Sequence, residues 1–259
     1  MTLAHKQINI NYTTHGQGKP IVFLHGFLEN LSMWQTIVPE FLEQYQCIAI
    51  DLPGHGGSDN LGYVHSMETM AEVVKSVLET LKIDKAIIIG HSLGGYVGLA
   101  FAEKYTHSLL GLLLLNSTSF ADSEERKYTR TRAIKIVKQN PNAYTSMSIA
   151  NLFAPSNRKK YATIISSVKN QASKTSLQGI LAALEGMKER PDRSLFLTHL
   201  KVPKCIISGV DDPVITHKQS QTESELTKTE LVGLSGGHMS HIENYSECVT
   251  EIGNFVRKC

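Results

Sequence analysis

The segment Ile87-Ile88-Ile89-Gly90-His91-Ser92-Leu93-Gly94-Gly95, followed by a helix-like Tyr96–Tyr105, leaves this chain few ways to fold. An apolar run that ends in glycine and reopens as a helix within a few residues is a strand, a sharp turn and a helix. Such a turn strains the backbone at Ser92 and exposes its hydroxyl, so Gly90 and Gly94 must lack side chains that would collide. The helix start beyond it offers free N–H groups, that of Leu93 foremost, to developing negative charge.

The same rhythm recurs along the chain. The pattern predicts strands at Gln7–Tyr12, Pro20–Leu24, Cys47–Asp51, Ala86–Gly90, Leu110–Asn116, Lys204–Gly209 and Glu230–Leu234. Several are unbroken apolar runs, as expected of strands covered on both faces of a parallel sheet. Met67, Met70, Val73, Val74, Val77, Leu78 and Leu81 lie at helical spacing after Ser66, which predicts a core-facing helix over 66–82 with a serine cap. Trp34 and the Met67/Met70 stripe read as core. These alternations define an α/β sheet with crossover helices.

From Ser119 to Arg190 the rhythm stops. No strand is expected there, only helical segments broken near Pro141, Pro155 and Pro191. That stretch holds thirteen Lys and Arg against five Asp and Glu, a net +8, while the rest of the chain carries −6. A helical insertion between two strands reads as a cap over the ligand-binding edge. The expected division is a core over 1–118 and 195–259 with a cap over 119–194. Arg126, Lys127, Arg130, Arg132, Lys135 and Lys138 lie too densely for all to face one cleft, so a solvated helix face is the expected role. Overall net charge is only +2. With so small a net charge and no nucleic-acid-binding module in the sequence, nucleic acid is not expected as a partner.

Cys47, Cys205, Cys248 and Cys259 have neither CxxC nor zinc-site spacing. Met1–Gln7 lacks the charged-then-apolar pattern of a signal peptide, and the most apolar stretch, Leu109–Leu115, is short of the ~20 residues of a membrane helix. The expectation is a cytoplasmic protein with reduced, inert thiols and no membrane partner.

A serine hydroxyl needs a base to become nucleophilic, and the base needs an orienting acid. Downstream, Gly209-Val210-Asp211-Asp212 puts two carboxylates past a strand, and Gly236-Gly237-His238 puts a histidine in the loop after another. Both fall at C-terminal strand ends, where open α/β sheets gather ligands.

In these segments the chain resembles the α/β-hydrolase fold family along nearly its whole length. The resemblance implies a mostly parallel sheet flanked by helices, and a catalytic set of Ser92, His238 and Asp212. The G-x-x-D spacing from Gly209 favours Asp212 over Asp211. His25-Gly26-Phe27 is similar to the family's oxyanion loop, implying the Phe27 N–H beside that of Leu93 as the oxyanion hole. Asp51-Leu52-Pro53-Gly54-His55-Gly56-Gly57-Ser58 matches its D-x-x-G-x-G-x-S turn, and Gly237-His238 with Glu243 its G-H-x-x-x-x-E segment. Thr216 and Tyr245 depart from it, standing where many relatives have proline. His25 is expected to orient the loop, His241 to be a loop or helix residue, Tyr96 to touch substrate, and His91 either to touch substrate or merely to pack.

The implied reaction is hydrolysis of small or medium carboxylic esters through an acyl-enzyme, with a small-molecule substrate, no metal and no organic cofactor. Ser92 argues against dehalogenases and epoxide hydrolases of the family, which use Asp there. Cofactor-free perhydrolase chemistry is a side reaction of the same scaffold. Residues 25–34 and 51–58 also resemble the menaquinone-pathway lyase of this fold, but Tyr96 replaces the arginine that follows its Gly-Gly. Two alternatives therefore stand beside the esterase: action on an anionic metabolite beneath the basic cap, and a non-enzymatic ligand receptor.

Overall fold

The computed structural model describes residues 1–259. Eight strands form one sheet: β1 (Thr2–His5), β2 (Ile8–His15), β3 (Lys19–Leu24), β4 (Tyr45–Ile50), β5 (Ala86–His91), β6 (Leu109–Leu115), β7 (Lys204–Gly209) and β8 (Glu230–Leu234). Their order is β1-β2-β4-β3-β5-β6-β7-β8. β1 and β2 pair antiparallel, as do β2 and β4, and every later pair is parallel.

The unbroken apolar runs follow from coverage of both faces. In β5, Ile88 points into the larger core cluster while Ile87 and Ile89 point into the smaller; β3 splits Val22 and Leu24 from Ile21 and Phe23 in the same way. On the larger side lie α1 (Met67–Thr80) and α2 (Leu93–Lys104). The Ser66 hydroxyl accepts the Thr69 N–H at the start of α1, and Met67 and Met70 are buried. Trp34, Ile37 and Phe41 cover the other side together with Ile252 and Phe255 of the final helix. The four cysteines are unpaired. Burial pushes the thiols of Cys47, Cys205 and Cys248 up to about 12 and that of Cys259 to about 11, so none is a thiolate at neutral pH.

Between β6 and β7 run α3 (Glu124–Gln139), α4 (Pro141–Leu152), α5 (Ala162–Ala172), α6 (Leu177–Glu189) and α7 (Ser194–His199), with no strand among them. The prolines sit where their missing N–H costs nothing: Pro141 opens α4, Pro155 opens a short 3-10 turn, and Pro191 lies just past α6. The buried Arg193 bonds Glu68 of α1 and, at 2.9 Å, Glu103 of α2, fastening the end of this stretch to the core. After β7 come α8 (His217–Thr227), then the short α9 (Ser240–Glu243) and α10 (Tyr245–Val256) beyond β8. No helix is long and apolar enough to cross a membrane.

β1 was not anticipated. It is an edge strand of sequence Thr-Leu-Ala-His whose side chains are alternately exposed and half-buried, so it carries no apolar run to read.

Candidate active site

Ser92 joins β5 to α2 with φ 49° and ψ −112°, a backbone conformation that L-residues rarely hold. Its main chain is pinned on both sides. The Ser92 N–H donates to the Leu115 carbonyl at 2.9 Å, and its carbonyl accepts from the Gly95 N–H at 2.9 Å and the Ser117 hydroxyl at 2.7 Å. Close approach explains the glycines. A Cβ on Gly94 would stand 2.3 Å from the Leu24 carbonyl oxygen at the end of β3, and one on Gly90 would stand 2.3 Å from Gly94 backbone. Gly94→Ala must therefore push α2 off the sheet directly beneath the His25–Phe27 loop. Overpacking of this kind costs about 1–3 kcal/mol, which lowers Tm by roughly 3–10 °C in a chain of this size. Thermal unfolding followed by circular dichroism checks this.

His238 is buried, and its Nδ1 donates to Asp212 Oδ2 at 2.7 Å. Asp212 Oδ2 also accepts from Asn116 Nδ2 at 3.0 Å, while Oδ1 accepts the Val214 and Ile215 N–H groups at 2.7 and 3.0 Å. Burial alone would raise this carboxyl; the His238 ring and these donors outweigh it and hold the pKa below the usual carboxylate range. Asp211 is exposed, and its side chain makes no hydrogen bond. The loop carrying His238 is tied to the inserted helices. The His238 N–H donates to the Leu152 carbonyl at 2.8 Å, and the Glu243 carboxylate accepts from the Gly237 N–H at 3.0 Å and from Asn157 Nδ2 at 2.7 Å.

His25 acts as a strut. Its Nδ1 donates to the Gly26 carbonyl at 2.8 Å, and its Nε2 accepts the Leu52 N–H at 2.9 Å, which holds the loop leading to Phe27. Neither the Phe27 nor the Leu93 main-chain N–H finds an acceptor within the protein.

Ser92, His238 and Phe27 line one cavity of about 440 Å³, and Tyr96 and His91 also reach its wall. Of the two readings of His91, the structure favours packing. Its two ring nitrogens bond Glu29 at 2.7 Å and the His238 carbonyl at 2.9 Å, so neither is left to meet a substrate. Tyr96 keeps its place on the wall, with the Arg190 guanidinium 3.9 Å from its ring centroid.

The basic stretch also departs from a uniformly solvated face. Arg132, Lys135 and Lys138 are exposed, but Arg126 and Arg130, one helical turn apart on α3, line the cavity with Ser92, as does Arg158. Arg130 and Arg190 share the buried Asp122. Arg126 and Arg158 have no carboxylate partner; Arg158 Nε donates only to the Phe153 carbonyl, at 3.4 Å. The spacing of Arg126 and Arg130 was available in the sequence. Arg158, Glu29 and Asn116 carried no motif that pointed to the site.

The sheet, the strained serine turn and the His–Asp pair at neighbouring strand ends define an α/β architecture built around a serine site. Residues 19–245 match the family model described as the alpha/beta hydrolase fold, and the chain belongs to that family. It is similar, at 27% identity and a TM-score of 0.92, to a thermophilic esterase from Thermogutta terrifontis in its malate-bound form, across 99% of this chain and 96% of that one. It is 25% identical to 3-oxoadipate enol-lactonase 2 from Acinetobacter baylyi over 93% of this chain and 91% of that one. The enol-lactonase from Burkholderia xenovorans LB400 shares the fold at a TM-score of 0.92 and 22% identity, over 99% of this chain and all of that one.

Proposed function

We propose that the protein is a serine hydrolase of carboxylic esters, working through Ser92, His238 and Asp212 beneath a cap formed by residues 119–194. The observation that carries this reading is the buried His238–Asp212 hydrogen bond on the wall of the cavity that also holds Ser92. With Nδ1–H donating to Asp212, the His238 ring presents Nε2 as the nitrogen that accepts a proton. Ser92 Oγ attacks the ester carbonyl carbon as its proton passes to His238. The resulting oxyanion is received by the Phe27 and Leu93 N–H groups, each worth about 3 kcal/mol of the barrier. Collapse expels the alcohol, which takes the proton from His238. Water then attacks the acyl-enzyme, its proton passing through His238, and the acid leaves.

Steady-state hydrolysis of p-nitrophenyl esters of increasing acyl length tests this. Turnover with an acyl adduct on Ser92, found by mass spectrometry after rapid quench, is expected. Folded protein that turns over none of them overturns the esterase reading, and a stable adduct without turnover favours a receptor.

A second reading has its own observation: Arg126 and Arg158 line the cavity and neither has a carboxylate partner. The substrate then carries an anionic group, as a carboxylate-bearing ester or lactone does. The related T. terrifontis esterase was obtained with malate, a dicarboxylate. Hydrogen bonds to charged groups contribute about 1.5–3 kcal/mol. Arg126→Gln should thus lower kcat/KM for a succinate hemi-ester about tenfold or more relative to a neutral ester of equal length. An unchanged ratio in both Arg126→Gln and Arg158→Gln removes this reading and leaves the esterase in place.

A further inference from the structure

Beneath the site lies a second histidine–carboxylate contact that the mechanism above does not use. Glu29 and His91 are both almost fully buried, with side chains 4% and 1% exposed. Glu29 Oε2 lies 2.7 Å from His91 Nδ1 and also accepts the Gly26 N–H at 3.0 Å. On the opposite edge of the ring, His91 Nε2 lies 2.9 Å from the main-chain carbonyl of His238.

The partners decide where the protons are. A neutral imidazole has one donor nitrogen and one acceptor. His25 fits that rule, since one nitrogen faces a carbonyl and the other an N–H. The His238 carbonyl can only accept, so Nε2 donates to it; Nδ1 shares one proton with Glu29 Oε2, and the Gly26 N–H already given to that oxygen favours the carboxylate, which places the proton on the ring and makes Nδ1 a second donor. The ring is then an imidazolium and Glu29 its carboxylate.

We propose that Glu29 and His91 form a buried carboxylate–imidazolium pair that clamps the oxyanion loop to the loop of the catalytic base, making both of them positioning residues of the site. The clamp reaches each half of the machinery through a single hydrogen bond. Glu29 holds the Gly26 N–H, next to the Phe27 N–H, and His91 holds the carbonyl of the base residue itself. It also accounts for Gly26, where a Cβ would stand 2.3 Å from Glu29 Oε2 and 2.6 Å from His91 Nδ1.

The surroundings favour this charge state. Burial opposes ionisation of Glu29, but the His91 ring and its hydrogen bond outweigh it and hold the carboxyl well below the usual carboxylate range. Burial likewise opposes the His91 cation, and Glu29, the His238 carbonyl and the more distant Asp212 outweigh it, so its pKa is raised. His241 Nε2 is 3.7 Å from Glu29 Oε1, yet burial drives its pKa down to about 3 and leaves it neutral. The His238 ring centroid lies 5.1 Å from that of His91. As a unit the pair carries no net charge.

This inference rests on the proposed catalytic roles of Ser92 and His238 for its functional consequence, but the charge state can be read without turnover. In ¹⁵N-histidine-labelled protein at pH 7.5, both His91 ring nitrogens should show protonated shifts, identified by their loss in His91→Gln. A single bare His91 nitrogen overturns the pair. Glu29→Gln keeps the shape and removes the charge, so one His91 nitrogen should become bare. Ser92 should then react with a fluorophosphonate about tenfold or more slowly, by analogy with the loss of outer-shell groups that orient metal ligands. With p-nitrophenyl esters, kcat should fall while KM stays nearly constant, as for an interaction that matters mainly in the transition state. Wild-type labelling rates in Glu29→Gln overturn the positioning role. Wild type that does not label at Ser92 counts against the proposed hydrolase, and the nitrogen shifts still decide the pair.

Discussion

Ser92→Ala is expected to abolish ester turnover while leaving the fold intact. Loss of a nucleophilic serine from a triad costs up to about 10⁶ in kcat, so even a background from the remaining site leaves a deficit of at least ~10³. Two features make the loss interpretable as chemistry. The Ser92 hydroxyl makes no hydrogen bond within the protein, so its removal orphans nothing. The strained turn is held by main-chain contacts to Leu115, Gly95 and Ser117, all of which alanine keeps. Serine and alanine also bear the same Cβ in that conformation, so the strain is common to both. The measurements are kcat/KM with the best p-nitrophenyl ester and Tm by circular dichroism on the same preparation. A variant within tenfold of wild type, with an unchanged Tm, would show that Ser92 is not the nucleophile.

The serine turn was legible in the sequence because its constraints are local. Three apolar residues, a glycine on each side of the serine and a helix start all fall within a few positions. Local patterning likewise marks Ser66 as the cap of α1 and Lys204–Gly209 and Glu230–Leu234 as strands. Where the deciding contacts are remote, the sequence is silent. His91 neighbours Ser92 and so reads equally as a substrate contact or a packed residue, and the two partners that decide lie 62 and 147 residues away. Glu29 follows the oxyanion loop without any pattern of its own, and its meaning depends on the same ring. Charge density misleads in the opposite direction. The cations of α3 suggest a solvated face, and three are, but helical spacing turns Arg126 and Arg130 inward together. A chain's periodicity reports which elements form and which faces they bury; the choice among polar partners is made only after the sheet has brought distant loops together.

Asp212→Asn is expected to cost about 10⁴ in kcat, the size observed when the orienting carboxylate of a triad becomes an amide, whereas Asp211→Asn should remain within a few-fold of wild type by the same reasoning. Asp212 meets only donors: His238 Nδ1 and Asn116 on one oxygen, the Val214 and Ile215 N–H groups on the other. An asparagine must turn its NH₂ toward one of those sets. Facing Val214 and Ile215 it sets donor against donor in a buried site. Facing His238 it becomes the donor, so Nδ1 must accept and the ring proton moves to Nε2, where it cannot take the proton of Ser92. The first orientation keeps the His238 tautomer at the cost of two buried donor clashes, the second avoids them and removes the base, and Asp211, exposed and without side-chain partners, has no part in the choice. The same carboxylate links activity to stability. Its folded pKa lies below the ordinary carboxylate value, so its contribution is complete above about pH 4 and is lost as pH falls through the folded value. Urea midpoints of Asp212→Asn should therefore fall below wild type at pH 7, and the gap should narrow as both are taken toward pH 3. Equal midpoints at pH 7 would mean that the buried donors find equivalent partners in the amide. A variant that kept wild-type kcat would mean that Asp212 does not orient the base.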